Sequence, residues 1–259
     1  MLVAIDAGHG SNTAGKRTPD GYREHWINVR TASYFNKAMK RCGINTIKVG
    51  WNDDNAKDDI DISLVSRQKI VKDSGAILSV SFHANAHGSG AEWTTAEGIE
   101  TLIHSDKLKA NDSLKLANLV QAELVKGTPQ KNRGVKKMNL AMCNCIAMKT
   151  KASILIEIGF MTNKHEAELM KSEAFCKETA EETAKGVCRY LGVKYIENTE
   201  KEDDEMVDKT KVLVNGYPVE VERILKDGTN YIRLRDIDEK LGLCKVGYDE
   251  KQKLPTISK

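Results

Sequence analysis

Four residues of this 259-residue chain have the types and placement to do chemistry together: His9, Glu24, His83 and Glu157. His9 follows the apolar run Leu2–Ile5 within "VAIDAGHG". His83 comes directly after Ala76–Phe82, and Glu157 stands near the end of Ser153–Ile158. In open α/β sheets, ligands gather beyond the carboxyl ends of strands, so three separate apolar runs deliver His, His and Glu to one edge. Glu24 heads an amphipathic stretch and shares a face with Ile27, Thr31, Tyr34, Phe35, Ala38, Met39 and Cys42. A carboxylate turned inward is costly unless it is paired or bound to a metal. Plainer readings exist: a first-turn acid favoured by the helix dipole for Glu24, and a loop cap after a glycine turn for His9. His25 falls beside the apolar face and reads as a surface or supporting residue.

Two histidines and a glutamate make a three-ligand zinc set with an open fourth position, as catalytic rather than structural zinc requires. Glu157 is then the free carboxylate, placed to act as general base and acid. Zinc polarises a carbonyl and lowers the pKa of its water to roughly 7. The chemistry implied is metal-assisted amide hydrolysis.

The elements that must position these groups alternate along the first 193 residues. Strand-like runs lie at Leu2–Ile5, Thr46–Val49, Ala76–Phe82, Ile99–Ile103 and Ser153–Ile158, with amphipathic stretches at 24–42, 62–73, 111–126 and 164–191. That alternation predicts an α/β fold, a mostly parallel twisted sheet covered by helices. An acidic run, 197–208, carries seven acids and one lysine and has little to bury, so it reads as a solvated linker. Beyond it, Lys211–Val214, Asn215-Gly216, Val219–Ile224, Asp227-Gly228 and Tyr231–Leu234 predict a small antiparallel meander. A short helix over Ile237–Leu243 and strands at Lys245–Tyr248 and Pro255–Ile257 complete a small, mainly antiparallel α+β domain. The expected division is therefore 1–194, a linker at 195–210, and an accessory domain at 211–259.

Composition narrows the possibilities. The net charge is +3, and no Lys/Arg stripe with interleaved aromatics argues for nucleic acid. No apolar run approaches the ~20 residues of a membrane span, and the first strand leaves no room for a secretory signal. The six cysteines lack framework spacing, so all are expected as thiols in a protein made in the cytoplasm.

"IDAGHG" (5–10), Glu24 at a helix head, "SFHAN" (81–85), "NRGVKKM" (132–138) and "ILIEIGFMTN" (154–163) resemble the zinc-dependent N-acetylmuramoyl-L-alanine amidases of the Amidase_3 type. The likeness spans residues 2 to about 193, with the motifs in the family's order. It implies zinc held by His9, Glu24 and His83, Glu157 as catalytic acid/base, and an Arg-Gly-Val loop at 132–138. The implied substrate is the bond between N-acetylmuramic acid and L-alanine in peptidoglycan. Asn85 either touches substrate or closes the turn after His83, and Arg133 either binds a stem-peptide carboxylate or is a solvated loop charge. His87 and His104 read as loop and strand-end residues, and Cys143 and Cys145 as buried thiols.

Residues 209–259 resemble the small N-terminal domain of copper amine oxidases, but they contain no histidine, so no copper is expected. Wall targeting or oligomerisation is the expected role. Lys201-Glu202 can be encoded as a ribosome-binding sequence ahead of Met206, so an internally translated C-terminal fragment could pair with the full chain. The expected setting is a phage or prophage endolysin freed by a holin, or a mother-cell amidase acting at lysis. Rival readings are a zinc peptidase cutting stem or cross-bridge peptides and a non-catalytic wall-binding regulator.

Overall fold

The first apolar run becomes β1 (Leu2–Ala7), whose Val3, Ile5 and Ala7 face one helical layer while Ala4 faces the other. The computed structural model describes residues 1–105, 110–198, 208–214, 217–226, 229–232, 238–242, 244–249 and 254–258. The chain divides into two compact units, Met1–Glu197 and Asn198–Lys259.

In the first unit β1 is followed by α1 (Glu24–Arg41), β2 (Asn45–Val49), α2 (Leu64–Ser74), β3 (Leu78–Asn85) and β4 (Ile99–His104). Then come α3 (Ala110–Gly127), β5 (Asn132–Met138), α4 (Cys145–Met148), β6 (Ala152–Phe160), α5 (Lys164–Lys171) and α6 (Glu173–Leu191). The sheet order is β2-β1-β3-β6-β4-β5. The first four of these strands run parallel; β4 is antiparallel to β6, and β5 is parallel to β4. From β1 the chain first goes to β2 on one side and then crosses to β3 on the other. The switch in direction falls between β1 and β3, the place where open α/β sheets bind ligands.

Phe35 and Met39 of α1, Leu116 and Val120 of α3, and Ala184 and Val187 of α6 pack on Val80, Phe82, Ile154 and Ile156. The opposite face is covered by α2 and the segment around α4, through Val71, Met142 and Met148 against Ala4 and Val49. α1 carries Glu24 in its first turn and Lys40 and Arg41 in its last, matching the helix dipole at both ends. The Ser63 side chain caps α2 by accepting from the Ser66 amide.

Three sequence expectations change. β3 extends through Asn85, so His83 lies inside a strand rather than just after one. The segment 132–138, expected as a loop, is an edge strand, β5. Its basic residues hide the strand alternation, and charge on an edge strand discourages pairing with other chains. The stretch 164–191 is two helices, because Ser172 takes an extended backbone between them.

The second unit holds an antiparallel sheet of β7 (Asp208–Val214), β8 (Tyr217–Lys226) and β9 (Thr229–Ile232), and an antiparallel pair, β10 (Lys245–Asp249) and β11 (Leu254–Ser258). Residues 238 and 239 of the expected short helix are helical, while 237 and 243 lie outside the described residues. Asn215-Gly216, Asp227-Gly228 and residues 199–207 of the acidic run, Met206 among them, also lie outside.

Candidate active site

β1 ends at the switch point, and its continuation is tied to β3 by the Gly8 amide, which donates to the Phe82 carbonyl at 3.0 Å. A Cβ on Gly8 would sit 2.1 Å from the His83 ring, so only glycine lets the two segments approach this closely. His9 then adopts φ 64°, a left-handed conformation uncommon for a residue with a side chain. Its ring meets that of His83 edge to face, with centroids 4.9 Å apart.

Glu24 reaches in from the first turn of α1 and is 1% exposed. Its Oε1 accepts from His83 Nδ1 at 3.0 Å and from the Ala84 amide at 3.1 Å, and its Oε2 lies 3.3 Å from His9 Nε2. Burial works against the Glu24 charge, but the hydrogen bonds from His83 and His9 outweigh it and hold the carboxyl far below the usual range. Burial likewise opposes charge on His83, and the Glu24 carboxylate overcomes it, so the imidazole is raised. One ligand atom from each of His9, Glu24 and His83 lies within 4.8 Å of the others, so the three could hold a metal ion.

Glu157 is the cross-strand neighbour of His83, on β6 beside β3. Its Oε2 is buried without a hydrogen-bond partner. Burial, opposed by His83 and reinforced by Glu24 and Glu100, pushes this carboxyl up to about 7. On its other side, antiparallel pairing sets Glu157 opposite Glu100 of β4. Glu100 Oε1 accepts from Asn85 Nδ2 at 3.2 Å, and its Oε2 from Arg133 Nε and Lys136 Nζ, each at 2.5 Å.

Two buried networks support the histidine loop. Arg67 of α2, 2% exposed, donates to Asp6 Oδ1 (2.7 Å), Asp61 Oδ1 (2.8 Å) and the carbonyls of Ala7 (2.8 Å) and His9 (2.5 Å). Asp6 also accepts from the Ser81 hydroxyl. His25, expected at the surface or in a supporting place, is 1% exposed; its Nδ1 bonds the Gly8 carbonyl at 2.8 Å and its Nε2 bonds Asp59 at 2.9 Å. The surface alternative fails because the residue 51–63 segment covers the flank of α1 that the helical period leaves open.

A family profile described as N-acetylmuramoyl-L-alanine amidase matches residues 3–189. The chain belongs to the N-acetylmuramoyl-L-alanine amidases. A solved amidase from Clostridium difficile 630 is 31% identical, covers 74% of this chain and 96% of its own, and superposes with a TM-score of 0.64. The endolysin of Bacillus phage SPP1 is 26% identical over 82% of this chain and 75% of its own length. The amidase LytC of Bacillus subtilis is 28% identical over 73% of this chain but 35% of its own. As a member of the family, the chain hydrolyses the amide between N-acetylmuramic acid and L-alanine of peptidoglycan.

In this amidase the four residues singled out from sequence stand together at the switch point. Asn85 accepts from the Ala86 amide as a turn residue would, and its amide nitrogen also binds Glu100. Arg133, for which a solvated loop charge was one alternative, stands on β5 in an ion pair with Glu100. His87 is exposed, and His104 ends β4 half-buried. Cys143 and Cys145 are buried thiols, and burial pushes the Cys143 thiol up. Among the described residues no helix is long and apolar enough to cross a membrane. Asp6, Asp59, Arg67 and Glu100 were not singled out from sequence; of these only Asp6, an acid closing an apolar run, carried a signal.

The raised Glu157 carboxyl has a consequence for the metal-free protein. A carboxyl that keeps its proton to a higher pH when folded contributes stability below its unfolded pKa and loses it as pH rises through the folded value. Between pH 4.5 and about 7 the metal-free amidase should lose stability relative to Glu157→Gln, by on the order of 3 kcal/mol. Denaturant titrations of both proteins across that range provide the check; parallel pH curves would contradict it.

Proposed function

We propose that this amidase is a zinc-dependent lytic enzyme in which His9, Glu24 and His83 hold the metal and Glu157 moves the proton. The observation that carries the reading is a ligand set within 4.8 Å beside a buried carboxylate oxygen without a partner. Two imidazoles and one carboxylate suit zinc and leave a fourth position open for substrate. When bound, zinc supplies Lewis acidity, polarising the scissile carbonyl and acidifying water.

The chain's own residues account for the remainder. Glu157, poised near neutrality, takes a proton from the attacking water and returns it to the alanyl nitrogen as the amide C–N bond breaks. Arg67 and His25 fix the carbonyls of His9 and Gly8, so the loop bearing His9 is set before substrate arrives. The SPP1 endolysin relative supports a lytic setting, in which a chain made in the cytoplasm meets the wall after holin-type release or lysis.

Mass spectrometry of products from purified peptidoglycan, with and without chelator, tests this. New L-alanine amino termini and intact glycan, formed only with metal present, are expected. New termini elsewhere in the stem or cross-bridge would make the enzyme a peptidase, and cleavage that survives complete metal removal would exclude the zinc assignment.

A further inference from the structure

A row of polar side chains crosses four adjacent strands beside the candidate metal ligands. His83 on β3 neighbours Glu157 on β6, Glu157 is opposite Glu100 on β4, and Glu100 binds Arg133 and Lys136 of β5. Directly opposed residues of neighbouring strands project to the same face, so His83, Glu157 and Glu100 share one floor, and the ion pairs of Glu100 carry it on to β5. At its β5 end, two cations share one carboxylate that is 5% exposed, which leaves one positive charge in excess. Lys136 and Arg133 are 41% and 31% exposed. The Arg133 guanidinium lies over the Phe160 ring, with its centre 4.8 Å from the centroid, and its Nη1 donates to the Glu97 carbonyl. Its Nη2 and the remaining Lys136 protons have no partner among the described residues.

We infer that Arg133 and Lys136, held by Glu100, form the subsite for a free carboxylate on the stem residue that follows L-alanine. The inference rests on the amidase reading above and extends it to the direction in which substrate lies. Glu157 delivers its proton to the leaving alanyl nitrogen, so that nitrogen must sit over β6. The muramoyl carbonyl then lies on the β1–β3 side, and the peptide must run toward β4 and β5.

The distances agree. Two extended residues carry the chain ~7 Å from the alanyl nitrogen to the next residue's carboxylate. One strand spacing from Glu157 to Glu100 is ~4.8 Å, and the paired cations stand just beyond. Peptidoglycans differ at this position, which carries D-glutamate with a free α-carboxyl or its amide, D-isoglutamine. The cation pair selects the free acid, since the amide offers no charge to the donors. Glu100 acts as a positioning residue, because without it the two cations have no common anchor.

The test uses the full-length zinc-loaded protein with muramoyl-L-alanyl-D-glutamate and muramoyl-L-alanyl-D-isoglutamine, each with its γ-carboxyl blocked as the methylamide so that the two differ only at the α-carboxyl, following release of each dipeptide by chromatography. The acid should be favoured in kcat/KM by roughly 10- to 100-fold, the span of one or two partly shielded charge-assisted hydrogen bonds. Lys136→Met with Arg133→Met should bring that ratio to within about threefold of unity, and Glu100→Gln should lower it mainly through KM on the acid. A ratio between two substrates is blind to loss of folded enzyme or of rate common to both, so a poorly folding variant does not imitate the effect. Equal cleavage of both dipeptides by the parent, or a ratio that survives the double substitution, overturns this inference alone. Failure to cut either dipeptide or purified wall overturns it together with the amidase reading.

Discussion

Glu157→Gln should lower kcat on peptidoglycan by ~10²–10⁴-fold, the usual span for one general acid/base, while zinc still binds. The substitution keeps the shape of the side chain and removes its capacity to carry a proton. The buried Oε2 without a partner is replaced by a neutral amide group, so no new buried charge disturbs β6. Zinc content by atomic absorption and a thermal melt should match the parent once metal is bound, which separates a lost proton carrier from a lost metal. Wall digestion by Glu157→Gln at the parent's rate would remove Glu157 from the mechanism.

Arg67→Met should destabilise the protein by about 3–5 kcal/mol, the cost of stranding one partner of a buried ion pair. Asp6 is 0% exposed and would keep only the Ser81 hydroxyl as a side-chain partner, while the Ala7 and His9 carbonyls each lose a donor. At about 2–4 °C per kcal/mol for a domain of this size, the melting temperature should fall by roughly 6–20 °C. Asp6→Asn in the same protein should recover part of the loss, because the stranded charge goes with it. Zinc affinity should fall as well, since the left-handed backbone at His9 loses the guanidinium that grips its carbonyl. A shift under 1 kcal/mol would show that the network contributes little.

The candidate site was legible where chemistry and local pattern coincide. His9 and His83 follow buried apolar runs, and Glu24 occupies the inward side of a periodic helix, so each announces itself within a short window. Arg67 does not, because an arginine on an amphipathic helix looks like any solvated charge until Asp6 and Asp61 are seen around it. Glu100 is silent for a related reason: its partners come from β3 and β5 and meet it only through sheet register. The β5 strand was missed because Lys and Arg replace the apolar alternation and Gly134 takes φ 74° within it. His25 was left open between surface and support because helical periodicity describes one helix and not the loop that folds over its flank. Local pattern thus reveals elements and inward acids, while charge networks assembled across the sheet require the tertiary fold.

The position of β6 also governs when the enzyme can exist during synthesis. All three candidate ligands lie in the first 83 residues, yet β3 and β4 do not pair with each other; β6, at Ala152–Phe160, fills the gap between them. Without that strand, β1, β2 and β3 are joined to one another and β4 to β5, but nothing joins the two groups within the sheet. The same strand brings Glu157, so the strand that closes the sheet is also the one that supplies the proton carrier proposed above, and a nascent chain ending before it holds the three candidate ligands without that carboxylate.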